Sequence, residues 1–233
     1  MNSNLCSCNH TTKVSSGSRI NCALCNVFIS AVDGKAAIKD PHLGGLHQTF
    51  PATVYDRLLV ESNILPMSKK IPKSYLRYRV LLINWLKIMK SRFRLADSTF
   101  HISIKYMDYI LSQKEYHHSK YQLIGLTCLI LAAKYDELDM NIPFPEDFAR
   151  IAKLPFHNYV IAQCEMLILD LLNWKLKVST AYSIGHCLLS QGILFDTDRI
   201  SKEELLPKPE HAALITKVAD FLIEHSIRSD FIL

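Results

Sequence analysis

The chain has 233 residues, of which 49% are hydrophobic, and carries a formal net charge of +5. That is enough apolar material for one large or two small domains with a buried core, and it excludes disorder over most of the length. Seven glycines and nine prolines among many Leu, Ile and Lys favour an all-α fold, the mild positive charge does not by itself point to nucleic acid, and no stretch reaches the roughly 20 apolar residues of a membrane span.

Residues 1–52 are rich in Ser, Asn, Thr and Cys without helical periodicity, and are expected to form a flexible tail. The opening "MNSNLCSCNH" has no basic region followed by an apolar core, so no secretory signal is read and the seven cysteines are expected as reduced thiols, in the nucleus and/or the cytoplasm. From Thr53, a candidate N-cap, "TVYDRLLVESNIL" places Leu58, Leu59 and Ile64 on a helical stripe. After Pro66 and Pro72, "SYLRYRVLLINWLKIMKSRF" repeats Tyr78, Leu81, Leu82, Trp85, Ile88 and Met89 at three- and four-residue steps, the pattern of an amphipathic helix. The next helix follows Asp97 and Ser98, with Phe100, Ile104, Met107 and Leu111 on one face.

Ser119 and Gln122 have capping-box spacing ahead of "LTCLILAAKYDEL", Leu126 to Leu138, which is apolar on every side and is expected to be enclosed by other helices. Pro145, Glu146 and Asp147 start a short helix, and another runs from about Asn158 to Leu172 with Ile161, Ile168 and Leu172 as its stripe. Five consecutive helices thus lie between about Ser74 and Asn173, with a sixth before them. Beyond Trp174, Thr180 can cap a helix through Leu189, and Pro209 begins one from Glu210 to about Ile227. No strand alternation and no short repeat is read.

Four charges interrupt the apolar faces. Lys134 ends the all-apolar segment and Glu165 lies between Ile161 and Ile168 in helical projection. From spacing alone the two bridge each other, or Lys134 reaches solvent at its helix end. Arg79 and Asp108 sit in helices dense with apolar neighbours, where a bidentate internal ion pair would satisfy both.

These residues resemble the cyclin family. "YRVLLINWL" from Tyr78, "KYMDYIL", "KYQLIGLTCLILAAKYDE" and "CEMLILDLLNWKL" read similarly to the first, second, third and fifth helices of a cyclin box, and Arg79, Asp108, Leu123, Lys134 and Glu165 occupy its diagnostic positions. The resemblance implies an all-α cyclin fold: a five-helix box with a preceding helix at 53–178, and a partial second box at 179–233. It also implies that Lys134 and Glu165 hydrogen-bond main-chain groups of a cyclin-dependent protein kinase just ahead of its αC helix, and that Arg79 and Asp108 form the internal ion pair. A shallow groove docking Arg-x-Leu segments of substrates or inhibitors is implied by Leu81, Leu82, Trp85 and Gln122 as its floor and Tyr78 at its edge. Asn84 and Ile88 stand where the family usually has Asp and Glu, and Lys87 and Lys90 are near, so poor binding of basic motifs is expected.

Cys128, Cys164 and Cys187 lie on apolar helices and are expected in the core. Cys6, Cys8, Cys22 and Cys25 offer thiolates for zinc, but the C-x-C spacing fits less well than C-x-x-C, and free thiols are preferred; no metal or cofactor is assigned. No Gly-rich phosphate loop, HExxH pair or nucleophile elbow is present, so the expected role is that of a regulatory subunit with no catalytic residues of its own, acting in cell-cycle or transcriptional control. The alternatives are a transcription-factor-B-like cyclin-fold protein contacting DNA and a cyclin-like scaffold without a kinase. About 54 residues follow Ser179, fewer than a full second box needs, so either the chain is a fragment or that box is incomplete.

Overall fold

The structure is a computed structural model that describes residues 13–16, 19–22, 28–31, 36–38, 52–66, 71–152, 157–190, 194–195 and 209–228. Apolar periodicity becomes helix at every expected place: α1 (Ala52–Ser62), α2 (Lys73–Phe93), α3 (Asp97–Gln113), α4 (Tyr121–Asp136), α5 (Pro145–Ala152), α6 (Asn158–Leu171), α7 (Ala181–Ser190) and α8 (Pro209–Arg228). The described residues fall into two compact units, divided between positions 58 and 59, 183 and 184, and 222 and 223.

In the larger unit, α4 is the axis. Every residue from Leu123 to Ala133 is buried, as an all-apolar helix requires, with α2, α3, α5 and α6 packed around it. Gly125 marks a close approach: a Cβ there would meet Met107 Sδ at 3.4 Å and Leu86 Cδ1 at 3.6 Å. The expected stripe of α3, Phe100, Ile104, Met107 and Leu111, is buried throughout, as are Ile161 and Ile168 of α6 and Leu172 at its C-cap. On α2 the expected face is rotated. Tyr75, Arg79, Leu82, Ile83, Leu86 and Met89 are buried, whereas Leu81 and Ile88 point to solvent. A run such as Leu81–Leu82–Ile83 offers more than one apolar face, and only the position of α4 selects among them.

Buried charge locks α2 to α3. Arg79 donates from Nε and Nη2 to the two carboxylate oxygens of Asp108, each at 2.8 Å, and the Tyr75 hydroxyl donates to the same carboxylate. Both charged side chains are more than nine-tenths buried. Burial pulls the Arg79 guanidinium down, but the hydrogen bond and charge of Asp108 outweigh it and leave it above its ordinary value. Burial and the neighbouring carboxylate push Tyr75 well up.

Helix ends are settled by contacts that the sequence reading only partly anticipated. Thr180 does cap α7, its Oγ1 accepting from Ser183 N at 3.3 Å while Ser183 Oγ accepts from Thr180 N at 2.8 Å. The capping box expected of Ser119 and Gln122 does not form, because a short 3-10 helix, His118–Lys120, intervenes and His117 Nδ1 accepts from Ser119 N instead. Thr53 lies inside α1 rather than at its cap. The α1 C-terminus is fastened elsewhere: Lys105 Nζ donates to Ser62 O at 3.1 Å, and Glu61 pairs with Lys177 at 2.9 Å. The ends of α2 and α6 close on non-glycine residues in the left-handed region, Arg94 (φ 56°) and Asn173 (φ 50°), with the 6→1 bonds Leu95 N to Lys90 O and Trp174 N to Leu169 O.

Residues 1–52, expected to be a tail without strands, contain β1 (Lys13–Ser16), β2 (Arg19–Cys22), β3 (Phe28–Ala31) and β4 (Ala36–Ile38). Strands β1, β2 and β3 form an antiparallel sheet in that order, and β4 pairs with β5 (Leu194–Phe195) in the smaller unit. Each strand is too short to show alternation, and pairing between strands is long-range information that a local reading lacks. The Gly17-Ser18 pair in the sequence between these two segments is the one local hairpin signal there. Of the cysteines offered for zinc, Cys22 ends β2, and Cys6, Cys8 and Cys25 lie outside the described residues. Cys128, Cys164 and Cys187 are buried, as expected of core residues.

Two changes probe this core. Arg79→Ala leaves Asp108 buried without its cation and should cost about 3–5 kcal/mol in urea denaturation; a loss below about 1 kcal/mol would show that the pair is dispensable. Gly125→Ala fills ordinary contact space on a fully formed helix and should stabilise the fold by about 0.5–1 kcal/mol, with a net loss indicating that Met107 cannot yield.

Candidate functional site

At the C-terminal end of α4 the buried helix emerges, and its last turn carries Lys134, Tyr135 and Asp136 into solvent. The two acids, Asp136 and Glu137, reach across to the start of α3. Asp136 accepts from Ser98 Oγ at 2.6 Å, and Glu137 accepts from the backbone N–H of Ala96 at 2.6 Å. Thr99 Oγ1 lies 2.9 Å from Asp136 and 2.7 Å from Glu137. Together they hold the N-terminus of α3, where backbone donors lack helical partners and negative charge is favoured.

Lys134 takes a different partner. Its Nζ donates to Glu165 Oε1 of α6 at 2.5 Å, with 42% of the lysine side chain exposed and 16% of the glutamate. The structure therefore joins the two charges that the sequence singled out, with the lysine partly in solvent and the glutamate largely enclosed. The pair leaves two lysine N–H donors and the second carboxylate oxygen for other groups.

Beside Glu165, the outer face of α6 presents Tyr159, Ala162, Met166 and Leu167, all exposed, and the segment after α4 exposes Leu138, Met140 and Phe144. These apolar residues were not picked out from the sequence. The available signal was the surplus in "NYVIAQCEMLILDL", which has more apolar residues than one core stripe can bury. An exposed acid–base pair bordering apolar side chains can bind another protein, the charges fixing main-chain groups and the apolar surface supplying burial.

The groove residues are distributed unevenly. Leu81 and Gln122 are exposed, Tyr78 and Trp85 are half-buried, and Leu82 is buried in the core. Tyr78 stacks on His118 with ring centroids 5.9 Å apart and meets Tyr121 edge-on. The nearby cations are engaged: Lys87 pairs with Glu224 of α8, and Lys90 with Asp97 at 2.7 Å. Among the described residues no cluster of three or more His, Cys, Asp or Glu is placed to hold a metal ion.

Four helices around a buried fifth, an internal Arg–Asp lock and a surface Lys–Glu pair define a cyclin box. The cyclin N-terminal domain profile matches residues 53–177, more than half of the chain, and the chain belongs to the cyclin family. It is 25% identical over 161 residues to Cyclin-A2-1 of Arabidopsis thaliana, a match covering 65% of this chain and 34% of that protein. It is 38% identical over 100 residues to the G2/mitotic-specific cyclin-B2 of Mesocricetus auratus, covering 43% of this chain and 25% of that protein. The matched stretches thus span about a third or less of these relatives. The fold is similar to the X-ray structure of a viral cyclin from herpesvirus saimiri, with a TM-score of 0.59 at 17% identity, covering 77% of this chain and 73% of the viral one.

Because Lys134 and Glu165 meet at the surface, their pairing should contribute little to folding. Replacing both by Ala is expected to change unfolding free energy by less than about 1 kcal/mol in chemical denaturation; a loss of several kcal/mol would identify them as core stabilisers.

Proposed function

We propose that this chain is a regulatory subunit that binds a cyclin-dependent protein kinase through the surface around Lys134 and Glu165. The supporting observation is their position: a charged donor and a charged acceptor meet 2.5 Å apart at the rim of an exposed apolar surface, although solvation alone would favour keeping them separate. A kinase loop laid across this pair would give its C=O groups to Lys134 and its N–H groups to Glu165, while Met166, Tyr159 and Phe144 lose water against it. Activation would follow by coupling. A partner that binds only the kinase conformation with its αC helix docked shifts the kinase toward that state, in which the catalytic Lys–Glu pair is assembled. The phosphoryl-transfer chemistry stays with the kinase.

Co-precipitation against a panel of cyclin-dependent kinases, followed by titration of the kinase retained, tests this. The Lys134→Ala/Glu165→Ala chain and a Met166→Asp chain, each shown to be folded by circular dichroism, should weaken binding by roughly thirtyfold or more, as hot-spot losses do. Undiminished capture by both variants, or no kinase retained by the unaltered chain, would overturn the reading and leave a cyclin-fold scaffold.

A further inference from the structure

Helix α4 ends differently from two of its neighbours. Helices α2 and α6 close on left-handed residues, with backbone bonds that tie off their last turns. Glu137, which follows α4, is extended instead (ψ 159°), and its N–H bonds Ala133 O at 3.0 Å. Two acids, Asp136 and Glu137, also stand at this end, where the helix dipole disfavours negative charge. On backbone terms alone, the turn that bears Lys134 would fray.

What holds it comes from the start of α3. Ser98 Oγ donates to Asp136 Oδ2 and Ala96 N to Glu137 Oε1, each serving one carboxylate at 2.6 Å. The Thr99 hydroxyl reaches both of those same oxygens, Asp136 Oδ2 at 2.9 Å and Glu137 Oε1 at 2.7 Å. A hydroxyl has one proton, so it donates to one acid at a time, and both carboxylates must stay within its reach. Thr99 is 0% exposed. The two acids thus converge on a sealed side chain, at a helix N-terminus that favours the charge α4 disfavours.

We infer that Thr99 is a positioning residue for Lys134. Its hydroxyl gathers Asp136 and Glu137 onto α3 and so keeps the last turn of α4 wound, which sets Lys134 Nζ 2.5 Å from Glu165 on α6. With that turn frayed, the lysine would sweep through solvent and the two charges would no longer meet a partner's main chain together. The inference rests on the kinase reading above and extends it to a residue that no partner can touch. Being enclosed, Thr99 acts on a partner only through the residues it holds.

Thr99→Val keeps the branched shape and removes the hydroxyl. Titration of the retained kinase with the full chain should give roughly tenfold weaker binding for Thr99→Val, a difference of about 1.4 kcal/mol, and near-original affinity for Thr99→Ser. Because Thr99 acts through Lys134, the same change in a Lys134→Ala background should alter affinity by less than about twofold. Amide hydrogen exchange reads the turn without a kinase: the Glu137 N–H should exchange at least roughly tenfold faster in Thr99→Val, while amides in the middle of α4 keep their protection. Ser98→Ala removes a donor to one acid only. It should produce smaller changes of the same kind, and it takes the place of Thr99→Val if circular dichroism shows that variant unfolded. Undiminished kinase binding by Thr99→Val, an equal loss in the Lys134→Ala background, no recovery in Thr99→Ser, or unchanged exchange at Glu137 would each overturn the inference. If the unaltered chain retains no kinase, the kinase reading fails instead, and the exchange measurement decides by itself whether Thr99 holds the turn.

Discussion

Everything in the larger unit depends on the burial of α4. A helix apolar around its full circumference cannot be covered by one neighbour, and its exposure would cost roughly 25 cal/mol for each Å² left in water. Helices α2, α3, α5 and α6 must therefore surround it, and their lengths and faces are set by what α4 leaves for them. The close approach at Gly125 is one sign of that constraint. Another is the selection, on α2, of Leu82, Ile83 and Leu86 for the inside and of Leu81 and Ile88 for the outside.

Polar groups inside such a packing are costly unless paired, and here they are paired where helices must hold one angle. Arg79, Asp108 and Tyr75 lie at the α2–α3 contact, and the bidentate geometry restrains rotation of one helix against the other in a way that apolar side chains would not. Asp136 and Glu137 perform a related task at the other end of α3, from the chain just past α4. Lys134 leaves the core at the end of α4, where Asp136 and Glu137 are hydrogen-bonded to the start of α3, and it reaches Glu165 at the surface. Fold and candidate site are thus one arrangement: the strand of charge that closes α4 both caps a neighbour and presents a lysine.

The diagnostic charges at Arg79, Asp108, Lys134 and Glu165 were legible because each breaks an apolar helical pattern, and such breaks are visible in one dimension. The exposed apolar surface of α6 was legible only as a surplus, since a sequence shows how many apolar residues a helix has but not which its neighbours will cover. The strands between Lys13 and Ile38 were hidden for another reason: four-residue segments acquire meaning only from their partners.

By itself, then, the sequence determined the helices, their order and the enclosure of α4, because apolar periodicity is a local property of the chain, and the cyclin family was legible in the resemblance of its helix motifs. The tertiary structure decided which face of α2 is buried, that Leu82 is core and Leu81 surface, and that Asp136 and Glu137 are hydrogen-bonded to the start of α3. It also decided that Glu224 and Lys87, 137 positions apart, pair with each other. Those outcomes depend on distances between residues remote in sequence, and only the packing of helices around a common axis sets such distances.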